Sequence, residues 1–113
     1  TTSNIFCIRG ENLMTPDLSA NLLPGVTRKK ILELAPAAGL KAEERVINPL
    51  DLFHADEIFL TNSLMGVMPV REIQGHRPRN VKEGKGWPWT KNLMALYAQA
   101  ERQDAERNKK MWL

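Results

Sequence analysis

The sequence predicts one mixed α+β domain, a sheet packed against helices, and three observations carry that prediction. Short apolar, β-branched runs bounded by turn residues alternate with segments of helical period. The first two runs lie close enough for a hairpin, so the sheet is at least partly antiparallel. From Trp89 onward the chain holds one long amphipathic pattern. The predicted order is β-β-loop-α-β-α-β-β-loop-α.

Each element has its own warrant. Asn4-Ile5-Phe6-Cys7-Ile8-Arg9 reads as a short buried strand, Arg9-Gly10-Glu11-Asn12 as a turn, and Leu13-Met14-Thr15 as the returning strand. Pro16 and Asp17 open a loop that runs to Pro24-Gly25. Thr27 is a good helix start, with Ile31, Leu32, Leu34 and Ala35 at helical spacing and Gly39 as terminator. Pro36 within that pattern shortens or kinks the helix. Lys41 to Asn48 reads as a strand with Val46 and Ile47 inside, and Leu50 to Ala55 as one helical turn with Leu50 and Phe53 packing inward. Glu57-Ile58-Phe59-Leu60-Thr61 is the clearest strand, bounded by Asn62-Ser63. Met65 to Ile73 is extended, with Pro69 placing it on an edge or at a bulge. His76 to Gly86, polar and rich in Gly and Pro, is a loop. Trp89 to about Lys109 is one helix whose apolar face is Leu93, Leu96, Tyr97 and Ala100.

Composition narrows the function classes. Of 113 residues, 42% are apolar and 26% charged, with seven Gly and seven Pro, which excludes a disordered, collagen-like or coiled-coil chain. No apolar run approaches the roughly 18 residues of a membrane span, so no membrane partner is expected. The net charge of +3 is spread among acids, and no nucleic-acid partner is expected either. The single Cys7 excludes an internal disulfide and suits a reducing, cytoplasmic setting. The chain opens Thr1-Thr2-Ser3 without an initiator Met, so a processed product, an excised domain or a fragment is expected.

Two loops could carry chemistry. Leu22-Leu23-Pro24-Gly25-Val26-Thr27-Arg28 is a Gly-containing turn feeding a helix start, where free N–H groups and a hydroxyl make a phosphate cradle. The same residues also suit a plain turn with Thr27 as helix cap. Thr61-Asn62-Ser63-Leu64-Met65-Gly66 follows the clearest strand and offers hydroxyls and N–H groups to an anion, or simply turns the chain. Two such loops in one small domain are more suggestive than either. No metal site is expected, because His54 and His76 lie outside any ligand spacing. Cys7 reads as core, His54 as a surface histidine, and Trp87, Trp89 and Trp112 as cover for a helix start or a domain contact. Lys29, Lys30 and Lys91 sit in polar settings without the burial that activates an amine. Residues and spacing alone therefore describe an anion-binding half-site with no general base.

Four segments then occur in a telling order: Thr2-Ser3-Asn4-Ile5-Phe6, Leu23-Pro24-Gly25-Val26-Thr27-Arg28, Ala55-Asp56-Glu57-Ile58-Phe59-Leu60-Thr61-Asn62-Ser63 and Val67-Met68-Pro69-Val70. Together they resemble the C-terminal half of the fold-type IV pyridoxal-phosphate enzymes, which include branched-chain and D-amino-acid aminotransferases and aminodeoxychorismate lyases. Gly86-Trp87-Pro88-Trp89-Thr90-Lys91 resembles the family's Gly-x-Pro-x-Thr-Lys/Arg helix start, so the resemblance covers Thr1 to about Ala100.

The resemblance implies that residues 1–113 are a C-terminal cofactor-binding domain of the D-amino-acid aminotransferase-like fold, binding pyridoxal 5'-phosphate. It implies that Gly25, Val26 and Thr27 hold the cofactor phosphate with Ser63 and neighbouring Asn62. Leu23 would lie beneath the ring, with Thr2 near the cofactor. The family's cofactor-linking lysine, the acid facing the pyridine nitrogen and the N-terminal domain all lie before the position of Thr1. No catalytic residue is therefore expected in this chain, which alone should be inactive. The implied partners are the missing N-terminal half, a second copy in a homodimer, and a small-molecule substrate. Asn62-Ser63-Leu64-Met65-Gly66-Val67-Met68-Pro69-Val70 looks most like aminodeoxychorismate lyase, which releases pyruvate and 4-aminobenzoate in folate synthesis. Alternatives are a branched-chain or D-amino-acid aminotransferase, and a stand-alone anion-binding domain without chemistry.

Overall fold

The computed structural model describes residues 3–17 and 25–112. Asn4–Arg9 (β1) and Asn12–Thr15 (β2) pair antiparallel across a turn at Gly10, whose φ of 60° suits a residue without Cβ. Val26–Leu34 (α1) and a 3₁₀ turn over Ala35–Ala38 carry the chain back, so that Lys41–Glu44 (β3) pairs parallel with β2. The one-turn helix Pro49–Phe53 (α2) leads to Glu57–Asn62 (β4), antiparallel to β1 on its other side, and Gly66–Pro69 (β5) pairs antiparallel with β4. A single turn at Arg79–Lys82 (α3) precedes the long helix Pro88–Trp112 (α4). The sheet order is β3-β2-β1-β4-β5.

Alternation along the strands divides the core. Phe6, Ile8, Leu13, Phe59 and Val67 pack with Ile31, Ala35, Leu40 and Leu93 in the cluster that α1 and α4 cover. Cys7, Met14, Ala55 and Ile58 form a second cluster, closed by Ile47, Leu52, Val70 and Ile73. The buried rings of Phe6 and Phe59, opposite each other across β1 and β4, stack at 4.9 Å. Truncating either to alanine would cost about 3–5 kcal/mol.

The long helix is anchored by one buried acid. Glu57, at the start of β4, is fully enclosed and accepts from both the N–H and the hydroxyl of Thr90, each at 2.8 Å. It also accepts from the Trp89 N–H at 3.0 Å and the Asn80 amide at 2.9 Å. A carboxylate here satisfies first-turn N–H groups and sits at the positive end of the helix dipole. Glu57 and the Pro-Trp-Thr start of α4, two of the motifs read from the sequence, are thus halves of one contact.

The structure corrects several expectations. The third strand stops at Glu44, because Asn48 and Asp51 form a reciprocal capping box that starts α2 with Pro49 in its first turn. Val46, expected inside, is 81% exposed, and Leu50 and Phe53 are exposed rather than packed inward. The extended stretch expected over Met65 to Ile73 pairs only over Gly66–Pro69, and the loop expected over His76 to Gly86 contains α3. Pro36 ends α1 by converting its continuation into the 3₁₀ turn, which Gly39 closes at φ 79°.

Candidate functional site

Where β1 begins and β4 ends, three distant segments meet at the first turn of α1. Gly25 is the residue before the helix, extended at φ −88° and ψ 141°, and no side chain caps the helix. The first α-helical bond runs from the Lys29 N–H to the Gly25 carbonyl at 3.0 Å. The N–H groups of the first turn thus have no intrahelical partner, and α1 has no acid in that turn. Together with the helix dipole this makes an end suited to an anion. Glycine is required for space rather than for φ: a Cβ at Gly25 would lie 2.8 Å from Oδ1 of the buried Asn4.

Thr27 does not cap the helix as expected. Its buried hydroxyl donates to the Asn62 carbonyl at 3.2 Å and lies 3.2 Å from the Tyr97 hydroxyl. Asn62 in turn shapes the next loop. Its Oδ1 accepts from the N–H groups of Leu64 at 2.8 Å and Met65 at 3.2 Å, and its amide donates to Ser3 Oγ at 3.3 Å. The turn carrying Ser63 is therefore tied directly to the first turn of α1. Leu64 and Met65 project from that turn, 79% and 66% exposed. The Thr61 hydroxyl, adjacent in β4, is buried with no partner among the described residues. Behind the site, the buried Arg28 donates to the Pro16 carbonyl at 3.0 Å and pairs with Glu44 at 2.9 Å.

The structure thus brings together Gly25, Val26, Thr27, Asn62 and Ser63, while Thr2 and Leu23 lie outside the described residues. It adds Asn4 and Tyr97, which sequence reasoning missed. Tyr97 shares the spacing of an apolar helix face, and nothing local marks its hydroxyl as engaged. An uncapped helix end with no acid in its first turn, and a buried hydroxyl without a partner among the described residues on the adjoining strand, fit an anionic group such as a phosphate.

The other candidates carry less. Among the described residues no three His, Cys, Asp or Glu side chains cluster as metal ligands would. Cys7 is enclosed, and burial, with a smaller contribution from Asp51, raises its thiol to about 11, which suits core rather than nucleophile. His54 is exposed and lies edge-on to Phe53. A recess of about 800 Å³ opens at the other end of β1, lined by both signs of charge, including Arg9, Arg45, Asp51, Asp56 and Lys82. No helix among the described residues is long and apolar enough to cross a membrane.

Comparison with known proteins shows what the chain is similar to. The family described as amino-transferase class IV matches residues 1–73. The protein named "Probable branched-chain-amino-acid aminotransferase" of Thermotoga maritima is 42% identical over 74 residues, 66% of this chain and 27% of that protein. The branched-chain-amino-acid aminotransferase of Escherichia coli (strain K12) is 33% identical over 94 residues, 83% of this chain and 29% of its own. The crystal structure of the branched-chain amino acid aminotransferase from Thermobaculum terrenum in its PLP form superposes with a TM-score of 0.78 at 31% identity, covering 87% of this chain and 31% of that one. An aminotransferase from Brucella abortus bound to PLP superposes with a TM-score of 0.74 at 30% identity, covering 87% and 33%. The chain spans less than a third of the length of the curated relatives it matches.

Proposed function

This chain belongs to the amino-transferase class IV family, and on that premise we propose that it is the C-terminal, cofactor-binding part of a pyridoxal-phosphate aminotransferase for branched-chain or D-amino acids. The observation that carries the reading is the junction of the uncapped α1 end with the Asn62-Ser63 turn through the Thr27 hydroxyl. The first-turn N–H groups beside Gly25, Val26 and Thr27 would hold the cofactor phosphate, with Ser63 facing it from the turn after β4. Leu23 and Thr2 would complete the cofactor's surroundings. When bound, pyridoxal phosphate supplies an electrophilic carbonyl and an electron-accepting ring for exchange of an amino group. The residues described here bind and orient, while the acid–base lysine and the remaining contacts come from outside residues 1–113. We further propose a homodimer of the complete enzyme.

The relatives named above are aminotransferases, so the lyase expected from the sequence stands as the second reading. What favours it is the turn after β4. Asn62 takes up the N–H groups of Leu64 and Met65, and both side chains stand exposed. This turn belongs to the segment Asn62 to Val70, whose sequence is what resembles the lyases. The test is an activity comparison on the protein as expressed from its own gene, with pyridoxal phosphate added. Transfer from leucine or a D-amino acid to 2-oxoglutarate establishes the first reading. Pyruvate release from aminodeoxychorismate without amino transfer replaces it with the second. Neither activity, with no visible cofactor absorbance, leaves a non-catalytic anion-binding domain and overturns both.

A further inference from the structure

A hydroxyl on α4 reaches the candidate cofactor site. Thr27 has one hydroxyl proton, and the Asn62 carbonyl, an acceptor only, takes it at 3.2 Å. The Tyr97 hydroxyl, 3.2 Å from the same Thr27 oxygen, must then be the donor in that pair. The result is a directed chain, from Tyr97 O–H to Thr27 Oγ1 and from Thr27 O–H to the Asn62 carbonyl. It joins the long C-terminal helix, the first turn of α1 and the end of β4, elements distant in sequence. The Tyr97 ring is held in place as well. It is partly buried and packs against the core cluster that α1 and α4 cover. Tyr97 also forms part of the wall of two recesses beside the site, one of about 490 Å³ shared with Val26 and Lys29, the other of about 170 Å³ shared with Met65 and Met94.

We propose that Tyr97 is a positioning residue for the phosphate site, fixing through Thr27 the spacing between the α1 end and the Ser63 turn. This rests on the cofactor reading above. An anion held between two arms is bound well only when both stand at the right separation, and the Thr27 hydroxyl is the pin between them. Donation from Tyr97 fixes the orientation of that hydroxyl and strengthens it as a donor. A phenylalanine would keep the ring and its packing, and lose the pin's support.

The test compares wild type and Tyr97→Phe in the protein as expressed from its own gene, by absorbance titration with pyridoxal phosphate and with pyridoxal, which lacks the phosphate. The expected result is an affinity for pyridoxal phosphate about fivefold weaker, with pyridoxal affinity unchanged and a melting temperature lowered only by the few degrees that loss of one neutral hydrogen bond brings. In a Thr27→Val background, which removes the pin itself, Tyr97→Phe should have no further effect. Equal losses for both ligands, no loss at all, or undiminished loss in the Thr27→Val background would each overturn the proposal. Wild-type protein that binds pyridoxal phosphate no better than pyridoxal would overturn the cofactor-phosphate reading and the role of Tyr97 with it.

Discussion

Replacing Glu57 with glutamine leaves the side-chain volume nearly unchanged and turns one acceptor oxygen into an NH₂ group. Oε1 accepts from the Thr90 N–H and hydroxyl, both at 2.8 Å, and Oε2 from the Asn80 amide at 2.9 Å and the Trp89 N–H at 3.0 Å. Whichever oxygen is replaced, two donors come to face a donor. The Thr90 hydroxyl or the Asn80 amide can turn away, but a backbone N–H cannot. One enclosed backbone N–H is thus left unpaired, at about 1–3 kcal/mol, and the surviving bonds lose their charge assistance. Loss of a negative charge at the N-terminus of a 25-residue helix adds about 0.3–1 kcal/mol. With the lost charge assistance the expected total is about 2–5 kcal/mol, or a melting temperature lower by about 8–20 °C at the roughly 4 °C per kcal/mol of a chain this size. Urea denaturation followed by the fluorescence of Trp87 and Trp89, which flank the helix start, reads the change directly. The midpoint should fall with an unchanged slope. A loss below about 1 kcal/mol would refute the claim that Glu57 anchors α4.

Three further outcomes follow from the same contacts. Gly25→Ala should destabilise by about 1–3 kcal/mol through overpacking against Asn4, and Asn4→Ala in that background should recover part of the loss in a denaturation series. Because burial holds the Cys7 thiol at about 11 against 9.0 when free, its contribution is complete below pH 9 and disappears as pH rises from 9 to 11. That loss amounts to about 3 kcal/mol, and the alkaline denaturation curve of Cys7→Ala should lack it. Asn62→Ala releases the Leu64 and Met65 N–H groups and the Ser3 contact. It should cost about 1–2 kcal/mol and speed proteolysis at the 63–65 turn.

Local signals in the sequence located what depends on local physics. The β1–β2 hairpin follows from Gly10 between two apolar runs, β4 from an apolar β-branched run, and α4 from its helical period. Gly25-Val26-Thr27 and Asn62-Ser63 stood out in the sequence as turns that could either hold an anion or simply reverse the chain, and only the resemblance to a known family suggested a cofactor phosphate. Their junction was not legible, since Thr27 and Asn62 are 35 residues apart and a hydroxyl does not announce its acceptor. The same limit hid the partnership of Glu57 with Thr90 and the parallel pairing of β2 with β3. Val46 and Ile47 misled for another reason. Their β propensity suggests a strand, but the Asn48–Asp51 box fixes a helix start directly after them. Leu50 and Phe53 follow an inward spacing on a helix too short to bury both.

The pairing of β1 with β4 also dictates when this domain can fold. The two central strands, Asn4 against Thr61 and Ile8 against Glu57, are about fifty residues apart along the chain, so the middle of the sheet exists only after a long loop has closed, at about 3–4 kcal/mol of chain entropy. The β1–β2 hairpin can form within microseconds, yet both its strands must wait for β4 before the Phe6–Phe59 stack gives lasting stability. During synthesis, no stretch of chain ending before about Asn62 holds both halves of the core. Folding is therefore gated by a late, non-local event and proceeds slowly for a chain of this length. A nascent chain stalled short of Asn62 would expose β1 as an open apolar edge, the state in which a chaperone has something to hold.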